Sequence, residues 1–247
     1  MEHDSDNLKA AVDSVDAYAA TLDDESARYW ELHRNRFRWT TAYIRQLLEE
    51  KSERDSILDI GNSFQTLLFS KAFPDLQIDT LGFLDHRYQV GRPSRHYAFD
   101  LNETHAKANW IQTENRYDII VFLEVIEHLY TSPSQVLAFL RTFLKSEGLI
   151  VIQTPNAAAL KKRIKLLFGK NPYERIRETR ENPGHFREYT AMELSSIAEK
   201  CGYETVFTRY NDFLIDGNRS DRRWDRIARW LPSGFKGGFT LALRRSD

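Results

Sequence analysis

Short apolar runs alternate with capped helical stretches over most of this chain, and that rhythm sets its fold class. Runs of strand character stand at 57–60 (ILDI), 76–84 (LQIDTLGFL), 117–123 (YDIIVFL) and 149–153 (LIVIQ). The clearest helix is predicted over 132–148: Ser132 caps it, Pro133 suits its first position, Gln135 completes a capping box and Gly148 follows its end. A second spans 190–202, with Thr190 and Glu193 as capping box and Gly202 as stop. Two further strands, YETVFTRY and GGFTLALRR, follow residue 202, separated by a basic, Trp-bearing segment. Strands alternating with helices read as an α/β fold, a mainly parallel sheet covered on both faces.

Residues 25–50 place Tyr29, Trp30, Phe37, Tyr43, Ile44 and Leu47 at roughly helical spacing, with Leu32 off the stripe, and read as one or two amphipathic helices. His33 fills the slot between Trp30 and Phe37 as a packed residue rather than a ligand. Residues 1–24 are polar and acidic and read as a flexible arm, which leaves 25–247 as a single domain. The formal charge is −1, so no global attraction to nucleic acid or to an anionic membrane is expected. The one cysteine, Cys201, excludes an internal disulfide framework and suits a reducing cytosol. The first residues lack the apolar core of a signal peptide, and no run approaches the roughly 18 apolar residues that span a bilayer. These features together predict a cytoplasmic protein.

The stretch ILDIGNSFQTLLF, residues 57–69, is a strand that runs into a turn and then a helix. In sheets of this kind ligands bind at the carboxyl ends of the strands, so this turn is the natural place for one. Gly61 lets backbone approach a ligand closely, and the following helix offers free N–H groups.

The chain resembles the class I S-adenosylmethionine-dependent methyltransferases from about 55 to 210, with a last strand near 237–244. Four stretches carry the likeness: ILDIG, YDIIVFLEVIEHL, LKSEGLIVIQTPN and GHFREYTAMEL. The fourth resembles the subgroup containing ubiquinone-biosynthesis O-methyltransferases and sugar or polyketide methyltransferases. The resemblance implies a Rossmann-like three-layer sandwich, a seven-stranded sheet with the last strand antiparallel, and one bound S-adenosylmethionine. The N-terminal helices and a helical lid insertion at 157–188 are expected to enclose the acceptor.

The same resemblance assigns candidate residues. Asp59, Gly61, Asn62 and Ser63 correspond to the cofactor turn, although Ser63 and Gln65 stand where the family carries further glycines. Asp85 matches the acceptor for the ribose hydroxyls, or else is a solvated turn residue. HYAFDLNE (96–103) is similar to the third strand and its turn, with Asp100 and Leu101 as the adenine contacts, or Asp100 as a helix cap. Glu124 ends the fourth strand beside the methyl donor. Glu124, Glu127 and His128 form an E-x-x-E-H pattern that carries a divalent metal such as Mg²⁺ in the ubiquinone enzymes; elsewhere in the family it is structural or lines the pocket. His185 and His128 are the candidate bases, and Asn156, Arg187 and Tyr189 the candidate acceptor contacts.

In the insertion, Leu160, Ile164, Leu167 and Phe168 form an apolar stripe among Lys161, Lys162, Arg163 and Lys165. It reads as a packed lid, a surface helix touching lipid, or a dimer contact. The basic segment at 222–231 raises the same choice. The expected activity is methyl transfer to an oxygen of a small-molecule, glycan or lipid-linked acceptor, and the basic segments are compatible with an anionic one. A catalytically inactive methyltransferase-like scaffold is the alternative. An RNA methyltransferase ranks third, because no RNA-binding module is visible.

Overall fold

The computed structural model describes residues 2–51, 53–88, 95–114, 116–179, 184–212, 230 and 232–246. It divides into two compact units, Met1–Ala98 and Phe99–Asp247.

The first unit begins with helices α1 (Glu2–Ala19) and α2 (Asp24–Glu49). Residues 1–24 were expected to be a flexible arm, yet most of them form α1, with Ala11, Val12, Val15 and Ala19 each 4% exposed or less. These four lie on one helical stripe, and the acidic residues around them mask it in composition. The Asp16 carboxylate accepts from Trp30 Nε1 at 2.6 Å and Arg34 Nε at 2.7 Å, which ties α1 to α2. Helix α2 is a single helix. Asp23 caps it by accepting from Ser26 N at 2.9 Å. Its inner face holds Trp30 and Phe37, stacked at 5.4 Å, together with Ile44 and Leu47. His33 packs on Tyr29, ring centroids 4.5 Å apart. Strand β1 (Ser56–Ile60) leads to α3 (Phe64–Ala72), then to β2 (Gln77–Gly82) and β3 (His96–Ala98). Strand β2 pairs in parallel with both β1 and β3.

The second unit contains β4 (Tyr117–Leu123), α4 (Pro133–Arg141), β5 (Leu144–Pro155), α5 (Leu160–Leu167), α6 (Ala191–Lys200), β6 (Tyr203–Asn211) and β7 (Gly238–Arg245). Strand β4 is apolar and buried almost throughout, as a strand covered on both faces must be. It runs parallel to β5, while β7 inserts antiparallel between β5 and β6. The seven strands form one sheet in the order β3-β2-β1-β4-β5-β7-β6, mainly parallel with its last strand antiparallel and flanked by helices.

The 132–148 expectation is corrected in part. Helix α4 ends at Arg141, and residues 144–148 open β5. The Ser132 hydroxyl pairs with Ser134 at 2.8 Å instead of capping, and Gln135 Oε1 receives Thr131 Oγ1 at 3.2 Å. Gly148 is a close-approach glycine rather than a helix stop: a β-carbon there would lie 2.9 Å from Lys145 O and 3.2 Å from Tyr117 O. Of the 222–231 segment, all but Trp230 lies outside the described residues. Among the described residues no helix is long and apolar enough to cross a membrane.

Candidate functional site

In the first unit the turn from β1 to α3 is held by its own side chains. Gly61 has φ 82°, in the region that favours glycine, and donates to Leu81 O at 3.0 Å. Ser63 is the N-cap of α3: its hydroxyl accepts from Gln65 N at 3.1 Å, and its own N–H donates to Thr66 Oγ1 at 3.0 Å. Thr66 in turn donates to Asp59 Oδ2 at 2.6 Å. Asp59 is 2% exposed, and burial pushes its carboxyl up to about 7 against the Thr66 bond. Gln65 points away from the turn into α2, where its Nε2 donates to Thr41 Oγ1 at 2.8 Å. So the two non-glycine residues of the turn do not crowd it.

Asn62 Nδ2 donates to Asp85 O at 2.9 Å, while its buried Oδ1 lacks a partner. The Asp85 carboxylate is engaged by Arg87, whose guanidinium reaches it at 2.7 Å and holds its pKa down. Arg87 also donates to Ser26 Oγ at 2.8 Å. Gly82, at the end of β2, has φ 133°, and a β-carbon there would sit 3.6 Å from Gly61 N. Sequence reasoning passed over Gly82, whose signal was a glycine at a strand's carboxyl end.

In the second unit Asp100 caps the short 3-10 turn 101–105, accepting from Asn102 N at 2.9 Å, and Leu101 is buried. Glu124 follows β4 with φ 52°, a left-handed conformation unusual for a residue with a side chain, and its N–H donates to Gln153 O at 2.9 Å. The E-x-x-E-H stretch passes through a 3-10 turn rather than an α-helical one. It therefore sends Glu127 fully inward, where Oε2 accepts from Thr154 at 2.9 Å.

His128 and His185 meet edge to face, ring centroids 4.8 Å apart. His128 Nδ1 lies 2.9 Å from Gly184 O; a carbonyl only accepts, so Nδ1 carries a proton. His185 Nδ1 lies 3.4 Å from Glu188 Oε1. Burial, with His128 adding, pushes His185 down to about 4, so it is neutral at pH 7. Lys162 of α5 donates to Glu188 Oε2 and, at 3.0 Å, to Asn156 O. Burial lowers the Lys162 pKa to about 8 despite the attraction of Glu127 and Glu124. In sequence, Lys162 is marked only as part of a basic helix face.

The remaining expected contacts serve the backbone or solvent. Asn156 Nδ2 donates to Gly234 O and Lys236 O, both at 2.9 Å. Tyr189 is buried and bridges to Asn156. Arg187 is largely exposed and pairs with Glu193 at 2.5 Å.

A turn with a left-handed glycine after β1 of a 3-2-1-4-5-7-6 sheet suggests a family, and comparison settles it. A model of the methyltransferase domain matches residues 29–207. The chain belongs to the methyltransferase family. Solved structures with the same fold include a SAM-dependent methyltransferase from Archaeoglobus fulgidus, 16% identical, with 90% of this chain and 100% of that one covered and a TM-score of 0.56. The N-methyltransferase NodS from Bradyrhizobium japonicum, in complex with S-adenosyl-L-homocysteine, is 15% identical over 96% of this chain and 99% of that one, TM-score 0.52. The 1,6-didemethyltoxoflavin-N1-methyltransferase of Burkholderia thailandensis, with 1,6-didemethyltoxoflavin and S-adenosylhomocysteine bound, is 14% identical over 90% of this chain and 87% of that one, TM-score 0.52. At these identities the likeness is one of fold. No curated protein matches the chain.

For this methyltransferase the expected metal set was Glu124, Glu127 and His128. Among the described residues, the donors that gather are instead Glu127, His128 and His185, all within 4.8 Å of one another. These three side chains form a group that could hold a metal ion. Lys162 already places an ammonium beside Glu127 and Glu124.

Proposed function

We propose that this chain transfers the methyl group of S-adenosylmethionine to an oxygen of a small-molecule or glycan acceptor. One observation supports the oxygen assignment: His128 and His185 meet edge to face, with Nδ1 of each directed to a carbonyl or carboxylate. The Nε2 atom of neutral His185 is then available to accept a hydroxyl proton. When bound, S-adenosylmethionine supplies an activated sulfonium methyl.

The chain's own work is holding and deprotonating. Gly61, Asn62 and Ser63 would hold the methionine end. The unpartnered Asn62 Oδ1 fits an ammonium or hydroxyl donor, and Gly61 gives the backbone its approach. Asp85 would take the ribose once Arg87 yields one of its oxygens, and Asp100, Leu101 and Glu124 would border the adenine and the methyl donor. His185 takes the acceptor proton, with His128 beside it. Glu188, held by Lys162, keeps His185 oriented. Arg187 suits an anionic group on the acceptor. Asn156 and Tyr189 shape the turn from within.

A scaffold without catalysis is the second reading, and the saturated Asp85 carboxylate favours it. Calorimetric titration with S-adenosylmethionine and S-adenosylhomocysteine separates the two: micromolar binding supports the enzyme, and absence of heat at millimolar ligand sinks it. Radiolabelled methyl transfer to a panel of hydroxyl and amine acceptors then tests the oxygen assignment, which fails if only amines are labelled.

A further inference from the structure

We propose that α5 and the chain after it form a docking surface for an anionic lipid bilayer. No residue of α5 is buried. The side chain turned inward is Lys162, only 17% exposed, and at 100° per residue it lies opposite Leu160, Ile164 and Leu167. The helix thus turns its cation inward, while Leu160 and Ile164 are half-buried and the apolar side chains at its C-terminal end face outward.

The stripe runs out at an exposed tip. Leu167 is 81% exposed, Phe168 72% and Leu166 51%. A Schellman motif ends the helix there: Gly169, φ 67°, donates to Leu166 O at 2.9 Å and Lys170 N to Lys165 O at 2.8 Å. The positions that usually close this motif with an apolar contact are Lys165 and Lys170. So charge flanks the tip where an apolar cover is ordinarily found. Ile176, 63% exposed, adds a second apolar point beyond it.

Charge selects the occupant. Residues 157–181 hold eight Lys and Arg against three Glu, in a chain of net charge −1. Leucine and phenylalanine at the tip of a short, basic, amphipathic helix match the boundary between lipid headgroups and acyl chains. A polyanion such as RNA would use the charge but leave Leu167 and Phe168 in water. This inference stands whether or not the methyl-transfer reading holds.

The test is co-sedimentation of the full chain with vesicles of phosphatidylcholine containing phosphatidylglycerol, and with phosphatidylcholine alone, at low and high salt. Binding is expected to the anionic vesicles and to weaken with salt. L167S/F168S is expected to abolish it with an unchanged melting curve, since both side chains are exposed. K165Q/K170Q is expected to weaken it by about fivefold for each charge removed. Hydrogen exchange should show vesicle protection over 160–170. Absence of binding to anionic vesicles at low salt would overturn the proposal. So would vesicle binding that survives L167S/F168S. Self-association or RNA binding that depends on these residues, without vesicle binding, would overturn it in favour of those occupants.

Discussion

Gln65 donates to Thr41 across 2.8 Å, and this places the side chain of the second residue of α3 inside the core of the first unit. Thr41 donates onward to Phe37 O at 2.9 Å, so Gln65 completes a chain that reaches into α2. A residue that would obstruct the turn by its size therefore braces the turn from behind. Gln65→Ala should cost about 1–3 kcal/mol of stability, the range for losing a buried hydrogen bond together with side-chain packing. It should leave S-adenosylhomocysteine affinity within about twofold, a change below roughly 0.5 kcal/mol. Urea unfolding and calorimetry read the two separately. A large affinity change with intact stability would place the side chain in the turn after all.

Gly61 and Gly82 adopt φ 82° and 133°. At Gly82 the added β-carbon meets Gly61 N at 3.6 Å, an ordinary contact, so the cost of Gly82→Ala comes from the backbone angle rather than a clash. Each alanine should destabilise by about 1–2 kcal/mol. Gly61→Ala should also weaken the cofactor about tenfold, equivalent to roughly 1.4 kcal/mol of strain taken up on binding. Thermal melting with and without S-adenosylhomocysteine checks both.

Asp59 gives the chain a pH dependence of one sign. Burial raises its carboxyl from 3.8 to about 7, so between those values the folded chain keeps a proton that the unfolded chain releases. Stability from this group is full below about pH 4 and falls by roughly 4 kcal/mol as pH rises to about 7. Asp59→Asn stays neutral and should gain on the parent across that window. Urea midpoints of both chains at about pH 5 and about pH 8 measure this; parallel midpoints would mean that Asp59 titrates normally.

The histidines act with the opposite sign. Burial lowers both His33 and His185 to about 4. Their contribution is fully present above about pH 6.5 and is lost as pH falls toward about 4. His33→Phe should flatten the acid side of the stability profile without touching methyl transfer. His185→Gln should flatten it and also cut kcat, with little change in cofactor affinity. Equal kcat in His185→Gln would remove it as the base.

Lys162 and Glu188 are 17% and 7% exposed in their side chains. Removing one partner strands the other's charge, so Lys162→Met should cost about 3 kcal/mol or more, while Lys162→Met with Glu188→Gln should cost less than the single change. A double-mutant cycle in urea gives the coupling directly. A double mutant as unstable as the sum of the singles would show that the two act apart.

The alternation of apolar runs with capped segments was enough to read β1, β2, β4, β6 and β7 and helices α2 and α6 nearly in place, because strand period and cap chemistry are local. It missed α1, whose four buried residues are diluted by acidic neighbours. It overran α4, because the signals at Ser132, Gln135 and Gly148 were answered by other partners. Residue types likewise pointed to Gly61, Glu127, His128 and His185 as chemistry-bearing. They could not group them: Glu127 and His128 gather with His185, from a segment 57 residues further along, and with Lys162 rather than with Glu124 as a metal set.

What the sequence determined by itself was therefore what repeats or caps locally: the α/β fold class and the turn after the first strand. What only the tertiary structure decided was direction. Whether Gln65 fills the turn or the core, whether Asp85 meets Arg87 or solvent, and whether α5 turns Lys162 or Leu167 inward depend on neighbours distant in the chain. Burial and partnering are properties of those neighbours, and no local pattern encodes them.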